Sequence, residues 1–280
     1  MYFIQFSMTQ DERKGLILCL KIEFSDGLGG AGLMKKTYII TGASSDIGQA
    51  FISNLDKESE EETTVFCQYY SNCKKLVELQ DSLNNLCIIP FQCDLSQPES
   101  ICDWIKSINY SELIPTHVLH LAASQFNYMR LKDFEWDSVI RELNMQVNSL
   151  GQIFREYLPR MAKARYGKVA VMLTAYTVGV PPKFMTHYLI AKHALLGLVK
   201  GAASEYNGKG ITINGLSPNM IETKFLSNID KRVIEINAAE SAMKRNIEIN
   251  EVVDGLNFLP SDASNYMNGV NLNMSGGDRM

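Results

Sequence analysis

Apolar residues in this chain fall into short β-branched runs, separated by stretches with helical spacing. The runs cover 37–41, 64–69, 86–91, 117–122, 168–174 and 211–215, with a last one at 269–274. Between them, apolar residues recur every three or four positions over 47–56, 74–84, 99–107, 137–161, 187–206 and 249–259. A short continuous apolar run reads as a strand buried on both faces. Three-to-four spacing reads as a helix with one apolar stripe. Strands alternating with helix-length segments form right-handed βαβ units on a parallel sheet. The pattern predicts the α/β class: one doubly wound domain with a seven-stranded parallel sheet and helices on both faces.

Residues 1–33 do not follow this pattern. Residues 16–24 read as a short strand and Ser25 to Gly32 as a flexible linker. Met34-Lys35-Lys36 and the β-branched run after it read as the start of the domain. An N-terminal extension, 1–33, without catalytic residues is therefore expected, followed by a domain over 34–280. The acidic run from Glu58 to Glu62 reads as a solvated turn.

Composition narrows the function. Of 280 residues, 46% are hydrophobic and 21% charged, as in an ordinary globular protein. The net charge of −4 leaves no basic excess to follow phosphates, so no nucleic-acid partner is expected. No apolar run approaches the roughly 18–20 residues that span a bilayer, so no membrane partner is expected either. The six cysteines, Cys19, Cys67, Cys73, Cys87, Cys93 and Cys102, form no Cys-x-x-Cys pair, and there are four histidines. A metal site is not expected. The first residues lack the order of a secretory leader, so a cytoplasmic location with reduced thiols is expected.

Thr41-Gly42-Ala43-Ser44-Ser45-Asp46-Ile47-Gly48 joins the first strand to the first helix. Small residues let backbone approach a pyrophosphate, and N–H groups at a helix start hold an anion. Gly42, Ser44, Ser45, Asp46, Ile47 and Gly48 are candidate dinucleotide contacts; the competing reading is a plain tight turn. No Gly-Lys-Ser/Thr follows, which disfavours a P-loop. The second strand ends in Tyr69-Tyr70-Ser71-Asn72 without an acid, and Lys74 and Lys75 come next. An acid there would accept from a ribose 2′-hydroxyl. Its absence, with a hydroxyl from Tyr69 and a lysine at hand, favours NADP(H) over NAD(H).

Tyr188 and Lys192 are four residues apart in a helical stretch, so both point to one side. An ammonium beside a phenol stabilises the phenolate and makes the phenol a better acid–base catalyst.

These motifs, in this order, resemble the short-chain dehydrogenase/reductase family over about residues 36–277, nearest in appearance to its 3-oxoacyl-carrier-protein-reductase-like branch. The matching segments include Thr41–Gly48, Cys93-Asp94-Leu95, Val147-Asn148, Gly167–Val171, Tyr188 with Lys192, Ser217–Thr223 and Ser275-Gly276-Gly277. The resemblance implies a Rossmann-type domain that reduces a carbonyl to an alcohol. Tyr188, Lys192, Thr174 and Asn148 would form the catalytic group, with Asn148 holding a relay water. Asp94 and Leu95 would lie at the adenine. Ala122, Ala123, Pro218, Ile221 and Thr223 would line the rest of the cofactor, with Tyr188 and Lys192 at its ribose. A homotetramer or homodimer packed through 137–161 and 187–206 is also implied.

The chain departs from the family pattern at four places. Asp46 replaces a glycine, so its charge must turn from the pyrophosphate. Leu121-Ala122-Ala123-Ser124, preceded by His120, replaces Asn-Asn-Ala-Gly. Asn219 replaces a glycine and is expected to take its left-handed backbone. Ala175 stands thirteen residues before Tyr188, where the family's hydroxyl belongs; Thr174 is taken as that hydroxyl, with Thr177 as fallback. The stretch from Met220 to Arg245 should form a mobile helical lid with apolar Phe225, Leu226, Ile229, Val233, Ile234 and Ile236. Substrates that suit it are a small-molecule or acyl-carrier-bound carbonyl, such as a 3-oxoacyl thioester or small ketone, or a sugar. The rival function is a weakly active or inactive NADP(H)-binding sensor or scaffold.

Overall fold

The computed structural model describes residues 35–59 and 63–279; the expected extension and most of the acidic run lie outside them. Seven strands form one sheet: β1 (Thr37–Thr41), β2 (Thr63–Tyr69), β3 (Leu86–Gln92), β4 (His117–His120), β5 (Gly167–Met172), β6 (Ile211–Pro218) and β7 (Asn271–Met274). Their order is β3-β2-β1-β4-β5-β6-β7, and every neighbouring pair is parallel. The winding direction reverses between β1 and β4, which opens a crevice at the carboxyl ends of those strands.

The helices are α1 (Asp46–Glu58), α2 (Lys74–Gln80), α3 (Pro98–Tyr110), α4 (Trp136–Leu143), α5 (Ser149–Ala164), α6 (Thr186–Glu205), α7 (Lys231–Glu240) and α8 (Ile249–Phe258). Strand alternation divides the core between the two faces. Ile39, Phe66 and Val169 pack with Trp104 of α3, Tyr157 of α5 and Leu195 of α6. Ile40, Val65 and Leu119 pack with Phe51 and Ile52 of α1 and Val252 and Leu256 of α8. A third apolar cluster, Phe126, Tyr176, Met185, Leu226 and Ile229, lies over the carboxyl end of β5.

Two expectations change in detail. The helix expected over 137–161 is not continuous: α4 and α5 are joined by a π-helical segment, Asn144–Asn148. The stretch expected to form a lid comprises a 3-10 turn, Lys224–Leu226, followed by α7. Cys67, Cys73, Cys93 and Cys102 are free thiols. Among the described residues, no helix is long and apolar enough to cross a membrane.

Candidate active site

The glycine turn sits at the switch point between β1 and β4. Gly42 has φ +66°, and a Cβ there would lie 3.1 Å from Ala122 N. At Gly48 a Cβ would lie 2.6 Å from Ala43 O. Side chains are thus excluded where α1 presents its N-terminus. Ser45 caps that helix, its Oγ accepting from Gly48 N–H at 3.0 Å. Gln68 ties the turn to the sheet: Oε1 accepts from Gly42 N–H at 2.8 Å and Nε2 donates to Cys93 O at 2.7 Å. On the other side, Thr41 Oγ1 accepts from Leu121 N–H at 3.1 Å and lies 2.8 Å from His120 Nδ1. A helix N-terminus, two glycines that a Cβ would block and the small Ala122 and Ala123 fit a dinucleotide.

Asp46 opens α1. Its Oδ2 accepts from Lys224 N–H at 2.9 Å, and its Oδ1 lies 3.4 Å from Lys75 Nζ. Its charge is therefore engaged by the start of the lid. Ser44 and Ile47 flank this cap within the same turn. At the end of β2, strand parity places Tyr69 with Val65 and Cys67 in the buried layer. Tyr69 is buried, and Tyr70 and Lys74 are the exposed groups there. Asp94 follows β3, and its Oδ1 accepts from Ser96 N–H at 2.9 Å and Ser96 Oγ at 2.7 Å. Leu95 is in the core. Pro218 ends β6, Ile221 bridges to Ile247, and Thr223 precedes the lid's first turn. Asn219 is not among the described residues with positive φ, so it does not take the expected left-handed backbone.

Thr174, Tyr188 and Lys192 meet beyond the carboxyl end of β5. One turn of α6 separates Tyr188 from Lys192, whose Nζ lies 5.8 Å from the phenol ring centroid. Lys192 is 2% exposed and donates to Met172 O at 2.9 Å. Thr174 is buried and caps the turn after β5, its Oγ1 accepting from Tyr176 N–H at 3.4 Å. Thr177 is turned elsewhere: its Oγ1 donates to Thr174 O and accepts from Asn271 Nδ2. Burial pushes the Tyr188 phenol above its ordinary value, and the nearby Thr174 hydroxyl opposes that shift. Burial also pushes the Lys192 ammonium down, to about 8, against the opposing charge of Glu142. Burial lowers His120 to about 3, so it is a neutral imidazole at physiological pH.

Asn148 is not brought to Lys192 by any hydrogen bond among the described residues; it ends the π-helical segment half-buried. The wholly buried amide of that segment is Gln146, which donates to Glu142 Oε2 at 2.7 Å. Sequence reasoning missed both Gln146 and Glu142. Their signal was two polar groups four apart on a helix that must bury one face.

A family model described as enoyl-(acyl carrier protein) reductase matches residues 42–278. The chain belongs to the short-chain dehydrogenase/reductase family. As such it is an oxidoreductase acting between CH–OH and C=O groups with a nicotinamide dinucleotide. The 3-oxoacyl-[acyl-carrier-protein] reductase of Pseudomonas aeruginosa is 26% identical to this dehydrogenase/reductase over 247 residues, 88% of this chain and 98% of the relative. That of Staphylococcus epidermidis is 24% identical over 249 residues, 87% and 99% of the two chains. Among solved structures, an NAD⁺-bound xylitol dehydrogenase superposes with a TM-score of 0.76 at 23% identity, covering 88% of this chain and all of that one. The Brucella melitensis 3-oxoacyl-[acyl-carrier protein] reductase does so at 0.75 and 21%, covering 91% and 98%. These superpositions show the shared fold.

Proposed function

We propose that the protein reduces a ketone flanked by apolar groups, with a 3-oxoacyl thioester as the first candidate, and that it uses NADP(H). The observation that carries this reading is the Tyr188–Lys192 pair on one face of α6, with Thr174 at the end of β5, beneath an aromatic wall. Phe126 meets the Tyr188 ring edge-on at 5.3 Å between centroids, and Phe225 lies 6.2 Å from it. Such a wall suits an acyl chain or small ketone better than a polyol. The 3-oxoacyl reductases among the relatives support the same class.

The glycine turn, Asp94, Ala122, Ala123, Pro218, Ile221 and Thr223 would hold the dinucleotide, with Tyr188 and Lys192 at its reactive end. The bound nucleotide supplies the hydride. Thr174 donates to the substrate carbonyl oxygen and stabilises charge as it develops there. Tyr188 delivers the proton that turns the alkoxide into the alcohol, and the Lys192 ammonium stabilises the phenolate left behind. The absence of an acid at the end of β2, with Lys74 and Lys75 beside it, supports the preference for a 2′-phosphate.

The test is NADPH oxidation against ketones, quinones, sugars and 3-oxoacyl esters, with NADH in parallel. Turnover on a ketone or oxoacyl ester is expected, with the lower KM for NADPH. Tyr188→Phe should lower kcat by at least about 10²-fold. Tight NADPH binding with no turnover on any of them would favour a sensor, and full activity in Tyr188→Phe would remove the proposed acid.

A further inference from the structure

Asp46 stands where the family pattern has a glycine, and its carboxylate reaches across the mouth of the crevice. Its Oδ2 accepts from Lys224 N–H at 2.9 Å, a bond between residues 178 apart in sequence, and its Oδ1 lies 3.4 Å from Lys75 Nζ. The 3-10 turn Lys224–Leu226 receives no side-chain cap from Thr223, so Asp46 supplies the acceptor for its first N–H. Residues 224–228 then run to the loop after β4. Phe225 O accepts from Phe126 N–H at 3.0 Å. Gln125 Nε2 donates to Ser227 Oγ at 3.1 Å, and Asn228 Nδ2 donates to Gln125 Oε1 at 3.3 Å. The segment is thus a strap fastened to the start of α1 at one end and to the loop after β4 at the other. The two fastenings flank the gap between β1 and β4. Phe225 lies between them, its ring centroid 6.0 Å from that of Phe126 and 6.2 Å from that of Tyr188. One residue separates this ring from the bond at Asp46, which leaves little slack. A carboxylate that accepts from a main-chain N–H makes a strong bond. The partly exposed Lys75 contact adds little to it.

We propose that Asp46 is a positioning residue: by holding Lys224 N–H it pins the strap across the crevice and sets Phe225 against Tyr188. The effect on turnover rests on the function proposed above; the pinning does not. Hydrogen exchange of single backbone amides, in the full chain without nucleotide, tests the pinning. Lys224 N–H reports the near fastening and Phe126 N–H the far one. In Asp46→Ala both should exchange about tenfold faster or more. Gly42 N–H, held by Gln68, should keep its rate. Asp46→Asn retains an oxygen acceptor and should stay close to the wild type at all three amides. Asp46→Gly is the second variant if Asp46→Ala does not fold. Either of the first two amides unmoved in a folded variant without the acceptor overturns the proposal. So does a faster Gly42 amide, which would mark a loosened turn in place of a released strap. With a ketone substrate and saturating NADPH, Asp46→Ala should raise the ketone KM by about fivefold or more with a smaller fall in kcat, and Asp46→Asn should restore it. Both amides released with that KM unmoved would show that Asp46 does not set the ring, which also overturns the proposal. If Tyr188→Phe keeps full activity, the proposed reduction mechanism fails and the amides still decide the pinning. If Tyr188→Phe is inactive and the amides do not move, the pinning alone fails.

Discussion

The hydroxyl proposed to bind the carbonyl oxygen is that of Thr174, whose methyl group must be housed as well. The residue is buried, and its Oγ1 accepts from Tyr176 N–H at 3.4 Å, leaving its proton for Tyr188 or a substrate oxygen. Thr174→Ala should lower kcat by about 10²-fold, the usual cost of one oxyanion donor. Thr174→Ser should keep most of the activity. Steady-state kinetics on one ketone check both, and a near-normal rate in the alanine variant would show that the hydroxyl has no part. The Tyr188–Lys192 pair could be read from the chain because a four-residue step on a helix is a local fact. The Ser124–Glu142 hydrogen bond could not, since it exists only once α4 lies beside the segment after β4.

At the scale of elements, strand positions follow from continuous apolar runs, because strands buried on both faces have no polar side to alternate with. The break between α4 and α5 left no such mark. Val139, Leu143, Val147 and Leu150 keep helical spacing straight through the π-helical segment. Helix α4 also carries apolar groups outward: Trp136 is 57% exposed and Ile140 39%, with Leu131 just before it at 68%. These residues support a subunit contact, the homodimer or homotetramer proposed for this chain. Trp136→Glu with Ile140→Glu should yield a monomer by light scattering; an unchanged mass would move the contact elsewhere.

The whole molecule holds two imidazoles inside its sheet. His117 stacks on Tyr38 with ring centroids 4.2 Å apart, and burial lowers it to about 3. An unfolded histidine takes its proton near pH 6.5, so below that pH the unfolded chain binds a proton the native chain refuses. The stability is complete above pH 6.5 and drains away as pH falls toward 3, at most about 1.4 kcal/mol per pH unit for each such group. His117→Gln should reduce the slope of unfolding free energy between pH 6 and 4.5 by about one proton, as measured by urea titration; an unchanged slope would mean that the imidazole titrates normally in the fold. The molecule also depends on a single amide at its centre. Gln68 receives with one end and gives with the other, so it gauges the gap from the first strand's exit to the third's. Glutamate has the right length yet cannot give, and leucine can do neither. Even the most conservative exchange at this position would therefore slacken a span of three strands, and the loss would surface as poor nucleotide affinity in an enzyme whose reacting groups are all intact.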